Sequence, residues 1–129
     1  GLLGVSGVSS DSRDVEAGAN EGNERCALAE RMYAQKIANF IAMYNNLLDG
    51  ADAIVFTAGV GENSITMRKM IIDRIHSLGV ATNDELNNVR GEFKKISKDE
   101  SRITLYVVPT NEELMIAMDT YNIIVGGNY

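Results

Sequence analysis

A lone cysteine, Cys26, cannot close an internal disulfide, so a reducing cytoplasm is the simplest compartment for this chain. With no second cysteine or clustered histidine beside it, Cys26 reads as a small buried apolar residue rather than a metal ligand. Histidine is as scarce. His76 stands alone, and its place near a helix C-terminus suits a cation stabilised by the helix dipole better than a catalytic base. Basic residues are outnumbered, 12 against 18 acidic, leaving a net charge of −6. That balance excludes the clustered Lys and Arg of a nucleic-acid grip and disfavours an anionic membrane surface. No apolar run approaches the roughly 20 residues of a membrane span. The opening GLLGVSGVSS lacks an initiator Met and the charged start of a signal peptide, and it reads as the middle of something longer.

What is present is an ordinary globular composition, 45% hydrophobic and 23% charged. A chain of 129 residues suffices for one domain, or part of one. The chain is organised around Ala53 to Ser64, AIVFTAGVGENS. Ala53-Ile54-Val55-Phe56 is too short for a helix and rich in strand-favouring side chains, so a buried strand is predicted. Thr57-Ala58-Gly59-Val60-Gly61 follows, where two glycines permit a tight turn with exposed backbone. Asn63 or Ser64 can cap the helix that comes next. Strand, glycine turn and helix start together make a seat for an anionic or nucleotide ligand.

The flanks supply an α/β pattern. Gly1 to Ser10 is predicted as a loop or irregular strand. Asp11 to Asp14 opens a short helical turn with Ser10 or Asp11 as cap, and the glycine-containing Ala17 to Asn23 breaks it. From Glu24 to Leu48 runs the longest periodic segment. Cys26, Ala29, Tyr33, Ile37, Phe40, Ile41, Tyr44 and Leu48 share one helical face, with Arg25, Glu30, Arg31, Gln35, Lys36 and Asn39 largely on the other. Met32 and Met43 read as core or interface filler, and Asp49-Gly50 ends the helix. After the central strand, Ser64 to Leu78 predicts a helix with Met67, Ile71, Ile75 and Leu78 inside, stopped by Gly79. Asp84 to Arg90 adds a helical turn, and Gly91 to Ser101 reads as a charged, solvated connector. Arg102 to Val108 predicts a second core strand ended by Pro109. A last helix runs to about Val125, and Gly126 to Tyr129 frays. Strands followed by helices imply an α/β layered fold.

A second informative point is Thr110-Asn111-Glu112-Glu113. Thr110 and Glu113 have the spacing of a capping box, which gives Glu113 a structural task. Glu112 points about 100° further round the axis and is not used by the cap. A carboxylate at a strand-to-helix junction can hold a hydrated magnesium ion, or it can simply favour the positive helix N-terminus.

Read together, AIVFTAGVGENS and VVPTNEEL, with GLLGVSGVSSDSRD and NNVRG in the same order, resemble the C-terminal portion of the acetate kinases over essentially the whole chain. The resemblance implies a partial ribonuclease H-like, actin-like ATPase domain, with central strands flanked by helices and residues 1–129 forming the C-terminal part of the nucleotide-binding domain. It implies reversible phosphoryl transfer between ATP and acetate, giving acetyl phosphate and ADP, with Mg2+ as cofactor. It places Gly59, Val60 and Asn63, with Gly61 in the same turn, along the adenine side of the pocket. Asp11 and Arg13 match positions that contact adenosine, and Ser12 between them stands where relatives often carry a larger side chain. Glu112 matches the family's magnesium-associated glutamate. The phosphate-binding segment, the transition-state arginines and the active-site histidine of the family fall upstream of Gly1. No catalytic residue is therefore assigned in this chain, and it is expected to be inactive alone. A cytoplasmic homodimer is also implied, with no nucleic-acid or membrane partner.

Two other readings share these residues. A propionate or butyrate kinase would look similar here, since acyl-chain choice is set elsewhere. A non-catalytic binding or dimerisation module could use the long Glu24 to Leu48 helix as its surface. A dinucleotide-binding dehydrogenase is set aside. Gly59-x-Gly61 lacks the third glycine, and Asp84 does not sit at the end of a strand as a ribose-binding acid must.

Overall fold

The computed structural model describes residues 1–126. Three helices open the chain, α1 (Leu2–Ser6), α2 (Ser12–Asn20) and α3 (Glu24–Leu47). The first of these corrects the expected loop or strand at Gly1 to Ser10. Its small apolar residues pack as a helix because Leu2 and Val5 cover the cluster formed by Val15, Cys26 and Ala29. Asp11 does cap α2, its Oδ1 accepting from the Arg13 amide at 2.9 Å. That helix runs through the glycine where a break was expected. A Cβ on Gly18 would lie 2.8 Å from Cys26 Sγ, so the missing side chain lets α2 press onto α3. The break falls instead at Glu21 to Asn23.

Helix α3 buries Cys26, Ala29, Glu30, Ala34 and Ala38. Its inner stripe is therefore shifted from the expected one. Tyr33, Ile37 and Ile41 pack at the core margin, but Phe40, Tyr44 and Leu48 lie in solvent, as do Met32 and Met43. Small alanines take the inside because α1, α2 and α5 (Ile65–Arg74) approach this helix closely. Glu30, expected on the wet face, is drawn in with them.

Strands β1 (Ala53–Phe56), β2 (Lys94–Lys95) and β3 (Thr104–Val107) form a sheet of order β1-β3-β2. The parallel β1/β3 pair sets Ala53 opposite Thr104 and Phe56 opposite Val107. The antiparallel β2/β3 pair sets Lys94 opposite Val107. β1 forms where predicted, but as an edge strand it is only partly covered, with Phe56 buried and Val55 exposed. The expected solvated connector holds β2, and Ile96 behind it enters the core. There the lysine ammonium groups stay wet while the backbone completes the ladder. β3 alternates half-buried and buried residues, with Leu105 and Val107 fully inside.

Between β1 and β3 lie α4 (Ala58–Asn63), α5, a 3-10 turn (His76–Leu78) and α6 (Asp84–Asn87). The main core joins Ala34 of α3, Met67, Ile71 and Ile72 of α5, and Phe56, Ile96, Leu105 and Val107 of the sheet region. The last helix, α7 (Glu112–Val125), buries none of its side chains and is capped by Gly126 at φ 76°. The remainder of the expected terminal fray, Gly127 to Tyr129, lies outside the described residues. Among the described residues no helix is long and apolar enough to cross a membrane.

Candidate functional site

The glycine segment after β1 is helical, which corrects the expected open turn. Thr57 stays extended, Ala58 takes φ 58°, and the chain winds directly into α4. The left-handed residue at this corner is thus an alanine, and Gly59 and Gly61 serve a different purpose. A Cβ on Gly61 would meet the Phe56 carbonyl carbon at 3.0 Å, so Gly61 allows α4 to fold back onto the end of β1. A Cβ on Gly59 would meet nothing within 4 Å. Gly59 faces open space, as ligand approach requires.

That space is a cavity of about 400 Å³ lined by Ser12, Arg13, Glu16, Gly59, Val60, Asn63, Ser64 and Arg90. Five residues singled out from sequence therefore come together from segments nearly 50 positions apart. Asp11 stands behind the wall, where it caps α2 and pairs with Arg13 at 2.6 Å. The Arg13 side chain beside it, and then the Arg13 amide, hold the Asp11 carboxyl at about 2. Gly61 lies off this cavity, on a neighbouring apolar one of about 440 Å³ that Gly59 and Val60 also border. Asn63 Nδ2 donates to the Gly59 carbonyl at 3.0 Å, which fixes the rotamer of that amide.

Two lining residues, Glu16 and Arg90, escaped the sequence reading, and Ser64 was read only as a cap. Glu16 follows Arg13 by three positions, so helical spacing could have put it on the same face. Its Oε2 accepts from Ser64 Oγ at 3.1 Å, and Ser64 Oγ in turn accepts from the Met67 amide to cap α5. Arg90 arrives by a longer route with no local signal. It follows Val89, whose carbonyl is held by Arg68.

Arg68 is fully buried and has no carboxylate partner among the described residues. Its Nη1 donates to the carbonyls of Gly61 and Glu62, its Nε to Asn87 Oδ1, and its Nη2 to the carbonyls of Asn87 and Val89, all within 3.0 Å. Five oxygens thus solvate the guanidinium that burial would otherwise penalise. Burial still holds its pKa below the ordinary value. The same bonds fasten the C-terminal turn of α4 to the loop carrying Arg90, so both walls of the cavity share one anchor.

Glu112 is exposed at the first position of α7 and lines an open cavity of about 380 Å³ with Ala58, Gly59, Glu62, Thr110, Asn111 and Glu113. The capping box expected from Thr110 and Glu113 does not form. Asn111 caps instead, accepting from the Leu114 amide at 3.0 Å. The Thr110 amide and hydroxyl both go to Glu62 Oε1, each at 2.8 Å. Among the described residues no group of three or more His, Cys, Asp or Glu side chains gathers as a cage. Two exposed carboxylates, Glu112 and Glu113, on an open cavity would suit a magnesium ion that keeps most of its waters. His76 is exposed in the 3-10 turn after α5, its Nδ1 2.9 Å from the Asp73 carbonyl, and lines neither cavity.

A mixed sheet with helices packed against it, and a cleft at the carboxyl ends of two parallel strands, define an α/β protein; its likeness to solved acetate kinases puts it in the actin-like ATPase class. The chain belongs to the Acetokinase family, whose model matches residues 1–118. Acetate kinase from Clostridium novyi is 48% identical over 128 residues, covering 99% of this chain and 32% of that protein. The Acholeplasma laidlawii acetate kinase is 53% identical over 92% of this chain and 30% of its own length. The crystal structure of Porphyromonas gingivalis acetate kinase superposes with a TM-score of 0.84 at 45% identity, over 96% of this chain and 31% of that one. A propionate kinase from Francisella tularensis gives 0.80 at 38% identity, over 91% and 29%. The chain spans about a third of the length of the curated relatives it matches.

Proposed function

We propose that these residues are the adenosine-side part of an acetate kinase, the C-terminal portion of its nucleotide-binding domain. Such an enzyme transfers a phosphoryl group reversibly between ATP and acetate, giving acetyl phosphate and ADP. The observation that carries this reading is the single cavity lined jointly by Ser12, Arg13, Gly59, Val60 and Asn63. In this reading Gly59 lets the nucleoside approach the backbone, Asn63 presents a rigid amide to it, and Val60 gives the base an apolar contact. Arg13 and Arg90 supply positive charge at the rim, and Glu16 offers an acceptor. Magnesium, when bound, neutralises phosphate charge, and Glu112 is the residue that would hold it.

Phosphoryl transfer depends mainly on positioning and on neutralising charge on the moving group. This chain supplies the positioning of the adenosine end, and no turnover is expected from it alone. The exposed apolar outer face of α3, with Leu28, Met32, Phe40 and Leu47, supports a homodimer, and the single free cysteine agrees with a cytoplasmic setting. The propionate kinase likeness favours a second reading in which the acyl acceptor is one carbon longer.

Calorimetric titration of the 129-residue chain with ADP, with and without magnesium, tests the reading. We expect saturable binding that Asn63→Ala weakens, and a magnesium dependence that Glu112→Ala removes. No heat of binding at millimolar ADP would refute a preformed adenosine site.

A further inference from the structure

Helix α4 borders two cavities, with Gly59 at the edge of both. Gly59, Val60 and Asn63 face the proposed nucleotide cavity. Glu62, between them in sequence, lines the cavity that also holds Glu112, is 9% exposed, and accepts two bonds from Thr110, 48 positions further on. Thr110 lies two residues before Glu112. The rest of α7 buries no side chain, so its own packing does little to fix where the helix begins. The strand ends are tied nearby by Val108 N to the Phe56 carbonyl and by Thr57 Oγ1 to the Val108 carbonyl, both 2.9 Å. Beyond Pro109, the Glu62 carboxylate holds Thr110, the residue just before the Asn111 cap of α7. Arg68 immobilises α4 itself through the Gly61 and Glu62 carbonyls.

We propose that Glu62 is a positioning residue that sets Glu112 at a fixed place relative to the Gly59–Asn63 wall, coupling the magnesium end of the site to the adenosine end. The proposal rests on the functional reading above. Glu62 is assigned as an anchor, its Oε1 accepting both Thr110 donors. A glutamine in its place would still accept from the Thr110 amide and hydroxyl through its carbonyl oxygen. An alanine would free Thr110 and the first turn of α7.

Two readouts on the 129-residue chain test this. The first needs no ligand and follows amide hydrogen exchange at Thr110 and the first turn of α7. Glu62→Ala should speed exchange at Thr110 about tenfold, and Glu62→Gln should leave it near the unsubstituted rate. The second is the ratio of ADP affinities with and without magnesium. Glu62→Ala should shrink that ratio severalfold with little change in magnesium-free affinity, Thr110→Val should shrink it less, and Glu62→Gln should keep it.

Unchanged Thr110 exchange in Glu62→Ala would overturn the anchor, whatever the nucleotide does. Equal losses with and without magnesium would reduce Glu62 to a support of α4. A Glu62→Gln variant as damaged as Glu62→Ala would mean that the charge acts directly. Should the unsubstituted chain bind no ADP while Glu62→Ala still releases Thr110, the functional reading fails and takes the coupling to ligand with it, leaving only the anchor.

Discussion

Two glycines one residue apart do opposite work. Gly61 is demanded by the fold, since a methyl group there would press on the backbone of Phe56 at 3.0 Å. Gly59 is demanded by nothing in the fold, because its missing side chain leaves open cavity. We therefore expect Gly61→Ala to destabilise by about 1–3 kcal/mol. Gly59→Ala should leave thermal stability nearly unchanged yet weaken ADP binding roughly tenfold. Thermal unfolding and calorimetry on both variants separate the two roles, and a large stability loss in Gly59→Ala would contradict this assignment. Arg68 belongs to the same scale. Removing it would leave five carbonyl-type oxygens without their donor in the interior, so its replacement should harm the fold before it harms any ligand contact.

Helix α2 shows how an element and a site can share one residue. Asp11 caps the helix through the Arg13 amide and pairs with the Arg13 side chain, which keeps its carboxyl ionised down to about 2 rather than the ordinary 3.8. A depressed folded-state pKa stabilises wherever the carboxylate is charged in both states. The contribution is full above about 3.8 and is lost as pH falls through about 2. Following the Asp11 carboxyl by NMR should show its titration moving up toward 3.8 in Arg13→Gln. A titration unmoved by that change would mean the pair does not form in solution. Glu30, in the neighbouring helix, has the opposite sign. Burial, then the nearby Glu16 charge, raises its pKa above 4.5, so its ionisation opposes folding as pH rises through and above that value.

At the scale of the whole molecule, α7 stands apart from the core. It exposes Leu114, Met115, Ile116, Met118, Tyr121, Ile123, Ile124 and Val125, an unpartnered apolar surface of the kind that favours association. A chain ended after Asn111 should keep its stability within about 0.5 kcal/mol and self-associate less in sedimentation, whereas a marked fall in Tm would show that α7 does pack on the core. The same separation marks what sequence could and could not decide. Local chemistry determined where elements form. The strand-favouring run at Ala53 to Phe56, the alternation before Pro109, the caps at Asp11 and Ser64 and the extent of α3 all depend on near neighbours, and all are found close to where predicted. The motifs also named the residues that meet at the candidate site, down to Gly59 and Asn63. Tertiary structure alone decided who partners whom across long separations. It set the alanine stripe of α3 inward, turned the charged connector into β2, gave Thr110 to Glu62 in place of Glu113, and brought Arg90 to the cavity through the buried Arg68. The physical reason is range. Caps and periodicity act over three or four residues, whereas a carboxylate or guanidinium takes whichever donor or acceptor the folded chain leaves within about 3 Å.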